Sequence, residues 1–193
     1  MIFKTFGLIL FFSWSQSKSI FMPNLPFGEY RFVIDKLYPC GSRKNHTIQF
    51  NYYSSKKASN ITEIKGNITF LIPFDDNLTI DINVSSWGST GGWIPNYYIL
   101  IRKNACSSIR NLFGNSWLTM LNAFNVPAYR CPIPVGTYIT SGYDLTKFED
   151  NGLPKVFFYG KYKVVGRYKN VENKEVGCFV GEINLIRPWE TTI

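Results

Sequence analysis

Asn77-Leu78-Thr79-Ile80-Asp81-Ile82-Asn83-Val84 alternates polar and apolar residues without a break. A period of two places the aliphatic side chains on one face of a strand and the polar ones on the other. The pattern recurs on both sides of this stretch. His46, Ile48, Phe50 and Tyr52 alternate with Asn45, Thr47, Gln49 and Asn51, and Ile64, Ile68 and Phe70 with Glu63, Lys65, Asn67 and Thr69. Further on, Tyr162, Val164 and Tyr168 oppose Lys161, Lys163, Arg167 and Lys169, and Phe179, Ile183 and Leu185 oppose Glu182 and Asn184. Other strands are expected over 30–37, 93–102 and 155–158, with turn signals at 73–77, 88–92 and 151–154. The chain therefore reads as mainly β: an antiparallel sandwich or cup with one buried face per strand.

One segment breaks the period. Over 105–124, apolar residues recur at Ile109, Phe113, Trp117, Met120, Leu121 and Phe124, which is an apolar stripe on a helix. Gly114 and Asn115 interrupt it, so two short helices are an alternative to one, with Ser116 as cap of the second. Cysteines stand at both ends, Cys106 before the stripe and Cys131 after it.

The N-terminus reads as a targeting segment rather than fold. Lys4 precedes an apolar run from Phe6 to Trp14, and Ser17 and Ser19 sit at −3 and −1 of a cut before Ile20. The run is well short of the roughly 20 residues that span a bilayer. Residues 1–19 are thus expected to be a cleaved signal peptide, leaving 20–193 as one domain with a real core. The formal net charge of +8 falls by two when Lys4 and Lys18 leave, and the remaining Lys and Arg are scattered. Such mild basicity suits a solvated surface, an anionic membrane surface or a receptor better than nucleic acid.

The four cysteines, Cys40, Cys106, Cys131 and Cys178, form an even set in a chain expected to be secreted. That implies two disulfides with three possible connectivities, and no Cys-x-x-Cys spacing suggests a metal. Five glycosylation sequons begin at Asn45, Asn60, Asn67, Asn77 and Asn83. Asn45, Asn67, Asn77 and Asn83 fall on the polar side of their strands, so glycans there mark that side as outside; Asn60 has the opposite parity, near a strand start.

An enzyme is not expected. His46 is the sole histidine and lies on the inward parity of an early strand, where it reads as a buried, hydrogen-bonded residue. The cysteines are better used in disulfides than as nucleophiles. Asp75-Asp76 follows Pro73 and precedes Asn77, which reads as a turn rather than a catalytic acid pair. No cofactor motif is present.

Several motifs in order carry a resemblance. Cys106, then Cys131-Pro132-Ile133-Pro134-Val135-Gly136-Thr137-Tyr138, then Leu153-Pro154, Gly160-Lys161-Tyr162-Lys163 and Gly177-Cys178 resemble the C-terminal half of the ganglioside activator family, secreted and lysosomal proteins that lift glycolipids for a hexosaminidase. Gly92-Trp93-Ile94-Pro95 leading to Asn104-Ala105-Cys106 resembles that family's hairpin before its first helix. In overall form the chain is similar to the insect chemosensory CheB-type proteins, secreted relatives of the activator. The resemblance covers roughly residues 30–186.

The resemblance implies a β-cup around an apolar cavity, with loops and a short helix at its mouth. It also implies the pairs Cys106–Cys131 and Cys40–Cys178. The chain has fewer cysteines than the activator, and the hexosaminidase-contacting surface is not carried over. Together with the residue pattern, this leads to a carrier or presenter of a lipid or other hydrophobic molecule, in the CheB-like setting a cuticular lipid or pheromone in chemosensation. The inward set names Phe50, Ile68, Phe70, Ile80, Ile82, Phe113, Trp117, Leu121 and Tyr162 as candidate ligand-binding residues. Trp87 and Trp93, flanking Gly88-Ser89-Thr90-Gly91-Gly92, are candidates for a lid or membrane-dipping loop, with a plain hairpin turn as the alternative. The contrasting reading of the whole chain is an extracellular interaction module with a filled core that binds a receptor or glycan by its surface.

Overall fold

The alternating stretch at 77–84 becomes an inner strand of the larger sheet, next to its edge. The computed structural model describes residues 25–41, 46–58, 61–145, 148 and 151–190; the expected signal peptide and the sequon residues Asn45 and Asn60 lie outside them. In chain order the elements are β1 (Phe27–Glu29), β2 (Arg31–Pro39), β3 (Ile48–Ala58), β4 (Ile61–Phe70), β5 (Thr79–Trp87), β6 (Trp93–Arg102), α1 (Ala105–Phe113), α2 (Ser116–Ala123), β7 (Gly136–Asp144), β8 (Val156–Phe158), β9 (Gly160–Lys169) and β10 (Glu175–Ile186).

The strands form an antiparallel five-stranded sheet in the order β2-β10-β9-β5-β6, facing a three-stranded sheet β3-β4-β7. A short ribbon pairs β1 with β8. Within the large sheet, Ile82 stands opposite Leu100 on β6 and Gly166 on β9, and Val84 opposite Tyr98 and Val164. The period of two thus stacks one apolar row across neighbouring strands. On the other face, Asp81 receives the Lys169 ammonium at 2.9 Å.

The sheets meet along one side. β2 runs beside β3, where the Leu37 N–H donates to Ser54 Oγ at 3.0 Å. Cys40–Cys178 ties the end of β2 to β10 on that flank. The far side is filled by α1 and α2, joined through Cys106–Cys131 to the Cys-Pro turn, whose Cys131–Pro132 bond is cis. Ile133 in that turn exchanges two backbone hydrogen bonds of 2.9 Å with Phe74. Both disulfides are the pairs implied by the resemblance.

Two local features refine the sequence reading. The 105–124 stripe is two helices, since Gly114 ends α1 and Ser116 opens α2. β7 bulges by one residue against β4, since Ile64 pairs with Tyr143 and Gly66 with Thr140, while Glu63, expected outside, keeps that side but is buried against Gly142 with its carboxylate 2.8 Å from Lys57 Nζ. Gly66 lies on β4 opposite this bulge. Its φ is +114°, and an added Cβ would lie 2.2 Å from the Asn51 carbonyl oxygen.

α1 takes its N-terminal cap from elsewhere in the chain. Asn104 precedes it in a left-handed conformation and makes no side-chain cap. Instead the Asp76 carboxylate accepts from Ser107 N–H at 2.8 Å and from Ser107 Oγ–H at 2.6 Å. Leu78 O accepts from Ala105 N–H at 2.9 Å. These bonds hold the Asp76 carboxyl below the usual carboxylate range. A lowered folded-state pKa means that the stabilisation is complete above the unfolded value and fades as pH falls through the folded one. Asp76→Ala is expected to cost about 1 kcal/mol at pH 7. In urea unfolding at stepped pH, the difference from the parent protein should shrink as the medium is acidified below the carboxylate range.

Candidate functional site: an apolar cavity between the sheets

Because the sheets join on one side and are spaced by helices on the other, their inner faces do not fully interlock. A cavity of about 520 Å³ lies between them, inside the range of roughly 300–1,000 Å³ typical of small-molecule sites. The large sheet contributes Phe32 and Ile34 from β2, Ile82 and Val84 from β5, and Tyr98 and Leu100 from β6. It adds Tyr162, Val164 and Tyr168 from β9, and Phe179, Ile183 and Leu185 from β10. The small sheet contributes Phe50, Tyr52, Ile64, Ile68, Phe70, Tyr138 and Tyr143. The helices add Ile109, Leu112, Phe113, Trp117, Met120 and Leu121.

Of the nine residues expected to face a ligand, Phe50, Ile68, Phe70, Ile82, Phe113, Trp117, Leu121 and Tyr162 line the cavity. Ile80 does not: it is 1% exposed and packs in the core beside α1, one step closer to the helix end of the sheet. Trp87 and Trp93 lie away from the cavity wall. They face each other across the end of the β5–β6 hairpin, ring centroids 5.1 Å apart at 82°, and Lys163 Nζ stands 4.6 Å over Trp93. His46 is half-buried just before β3, with Nε2 3.2 Å from Glu175 Oε1, and takes no part in the lining.

Sequence reasoning missed the wall formed by the connection from β7 to β8. Leu145, Phe148, Leu153 and Pro154 line the cavity from a stretch with no period to reveal them. Phe148 packs edge-on to Phe113 at 5.0 Å and tilted to Phe32 at 5.4 Å. The stretch is held by Gly152 N–H donating to Leu112 O at 2.8 Å and by Tyr30 O–H donating to Pro154 O at 2.6 Å. Leu153-Pro154, part of the resemblance, was the one signal available there.

The chemistry of the lining is simple. Among the described lining residues there is no Asp, Glu, Lys, Arg or His. Its polar side-chain atoms are mostly phenol hydroxyls, some of them bonded to backbone, such as Tyr162 O–H to Phe158 O and Tyr138 O–H to Pro134 O, both 2.9 Å. Burial pushes the phenols up, Tyr143 to about 12 and Tyr52 and Tyr168 well above the usual value, so they stay neutral at physiological pH. Trp117 Nε1 and Tyr143 Oη are buried in the wall without a protein partner. Among the described residues no group of three or more His, Cys, Asp and Glu side chains is gathered to hold a metal. Such a space is apolar where its lining is described. It can exchange apolar surface with a ligand.

One glycine shapes the cavity. A Cβ on Gly166 would fall 2.3 Å from Phe179 Cε1, so the bare backbone lets the Phe179 ring lie flat across β9 at the cavity wall. Gly166→Ala is expected to destabilise the protein by roughly 1–3 kcal/mol, as overpacking does. It should also move Phe179 into the open space. Denaturant unfolding checks the first effect, and reduced uptake of an apolar dye checks the second.

No protein-family model matches the chain, and no curated protein matches it, so the case for a function rests on the geometry of this cavity and on the residues quoted above.

Proposed function

We propose that this protein is a secreted, glycosylated carrier or presenter of a lipid or other hydrophobic small molecule, without enzymatic activity. The observation that carries the reading is the uncharged cavity between the sheets, lined by aliphatic and aromatic side chains. Two disulfides suit an oxidising, extracellular setting. Among the described residues no helix is long and apolar enough to cross a membrane. Asn83 sits between the cavity-lining Ile82 and Val84, and Asn67 beside the lining Ile68, so both are on the opposite face of their strands, and Asn77 is exposed in a turn, where glycans have room.

Each methylene taken from water into such a space contributes about 0.8 kcal/mol. A homologous series of alkyl probes should therefore gain affinity by roughly fourfold per added CH₂ until the cavity is full. Because the described lining holds no carboxylate, amine, guanidine or imidazole, binding of an uncharged probe should be flat from about pH 5 to 9. Displacement of a fluorescent fatty-chain dye measures both. Affinities independent of chain length, or no binding at any length, would defeat the carrier reading and leave the surface-binding module.

A further inference from the structure

Three of the four long sheet edges are managed within the fold. β2 and β3 lie side by side, linked by the Leu37–Ser54 bond of 3.0 Å. β7 is met by α2 and by the Asn125 side chain, whose Nδ2 donates to Ile139 O at 3.0 Å. β6 is different. It ends the large sheet, pairs with β5 on one side, and has no backbone partner on the other among the described residues.

Exposed edges of soluble proteins are usually blunted by Lys, Pro or a bulge, because an unpaired strand is a template for another strand. In β6 those devices occupy only the first half. Pro95 and Asn96 (φ +58°) lie where the register with β5 shifts. From Tyr97 to Ile101 the edge reads Tyr-Tyr-Ile-Leu-Ile with no charge. Tyr98, Ile99 and Ile101 are 51%, 52% and 59% exposed.

We propose that β6 pairs antiparallel with β6 of a second copy, about a two-fold axis passing through Ile99, to make one continuous sheet across the dimer. A two-fold axis normal to the sheet keeps inner faces with inner faces. Ile99 then meets its own copy, Tyr98 meets Leu100, and Arg102 meets Asn96, so no two like charges oppose each other. Any other partner would need to match an apolar, uncharged strand, and the strand matches itself. Ile94, Tyr97, Tyr98, Ile99 and Ile101 are each about half exposed. At on the order of 100 Å² apiece on two copies they approach the roughly 1,000 Å² that a specific interface needs. Asn83 lies opposite Ile99 on the outer face, so a glycan there stands off the sheet while the pairing runs in its plane.

Tyr98 and Leu100 also line the cavity, so pairing joins the two β6 rims and covers that side of each cavity. The dimer does not depend on lipid binding, since the edge is the same with the cavity filled or empty.

Sedimentation velocity on the full secreted chain across a concentration series tests the proposal, together with hydrogen exchange at the amides of 97–102. The expected result is a concentration-dependent dimer in which alternate amides of that stretch exchange at least ~10-fold more slowly. Ile99→Lys and Ile99→Glu, both on an exposed side chain, should keep the monomer's thermal unfolding. Each should raise the dimer dissociation constant at least ~100-fold by setting like charges face to face. An equimolar mixture of the two variants should recover the dimer. A monomer at every concentration, or a dimer indifferent to Ile99→Lys, would overturn the pairing. So would a monomer that adsorbs to phosphatidylserine vesicles through these residues, which would assign the edge to a membrane surface instead.

Discussion

Everything else in this structure depends on keeping two sheets apart on one side while joining them on the other. The β2–β3 contact and the Cys40–Cys178 bond close one flank. On the opposite flank α1 and α2 stand between the sheets, and Cys106–Cys131 fastens them to the Cys-Pro turn. A sandwich of this size normally brings its inner faces to about 10 Å and fills the gap with interleaved side chains. Here the helices act as a spacer, and the residues that would fill the centre line it instead. The helix spacer rests on a network of modest bonds: Asp76 to Ser107, Leu78 to Ala105, and Phe74 to Ile133.

In the loop-entropy picture, closing the 25-residue separation between Cys106 and Cys131 contributes about 3.5 kcal/mol by restricting the unfolded chain. The 138-residue separation of the other bond gives about 5 kcal/mol on the same model. Neither bond is among the described lining: Cys106 is a buried residue of α1, and Cys178 is on β10, tied to the end of β2. The disulfides thus stabilise the frame without entering the described lining.

Strand identity and facing were legible because a half-buried strand forces alternation. Ile82, Val84, Phe50 and Tyr162 could be placed on the inner side from parity alone, as could the stripe from Ile109 to Phe124. Glu63 shows where parity stops: it gives the outer side but not that Gly142 and Lys57 crowd the carboxylate there and bury it. Ile80 shows a second limit. Parity selects a face but not the position along it, so a residue at the packed end looks the same as one at the open centre. Phe148 and Leu153 lie on an irregular connection, where neither period applies. The empty space itself has no sequence signature, since a filled core and a lined cavity use the same residues.

The central claim is that this space is a ligand site rather than a packing defect. Native mass spectrometry of the protein, purified from a eukaryotic secretion host or its own tissue without detergent, addresses it most directly. The account predicts a mass increment of lipid size that leaves on collisional activation, and its loss when Trp117→Ala and Leu121→Ala loosen the helix wall. Protein that is ligand-free from both sources, and stays so after incubation with mixed lipids, would contradict it.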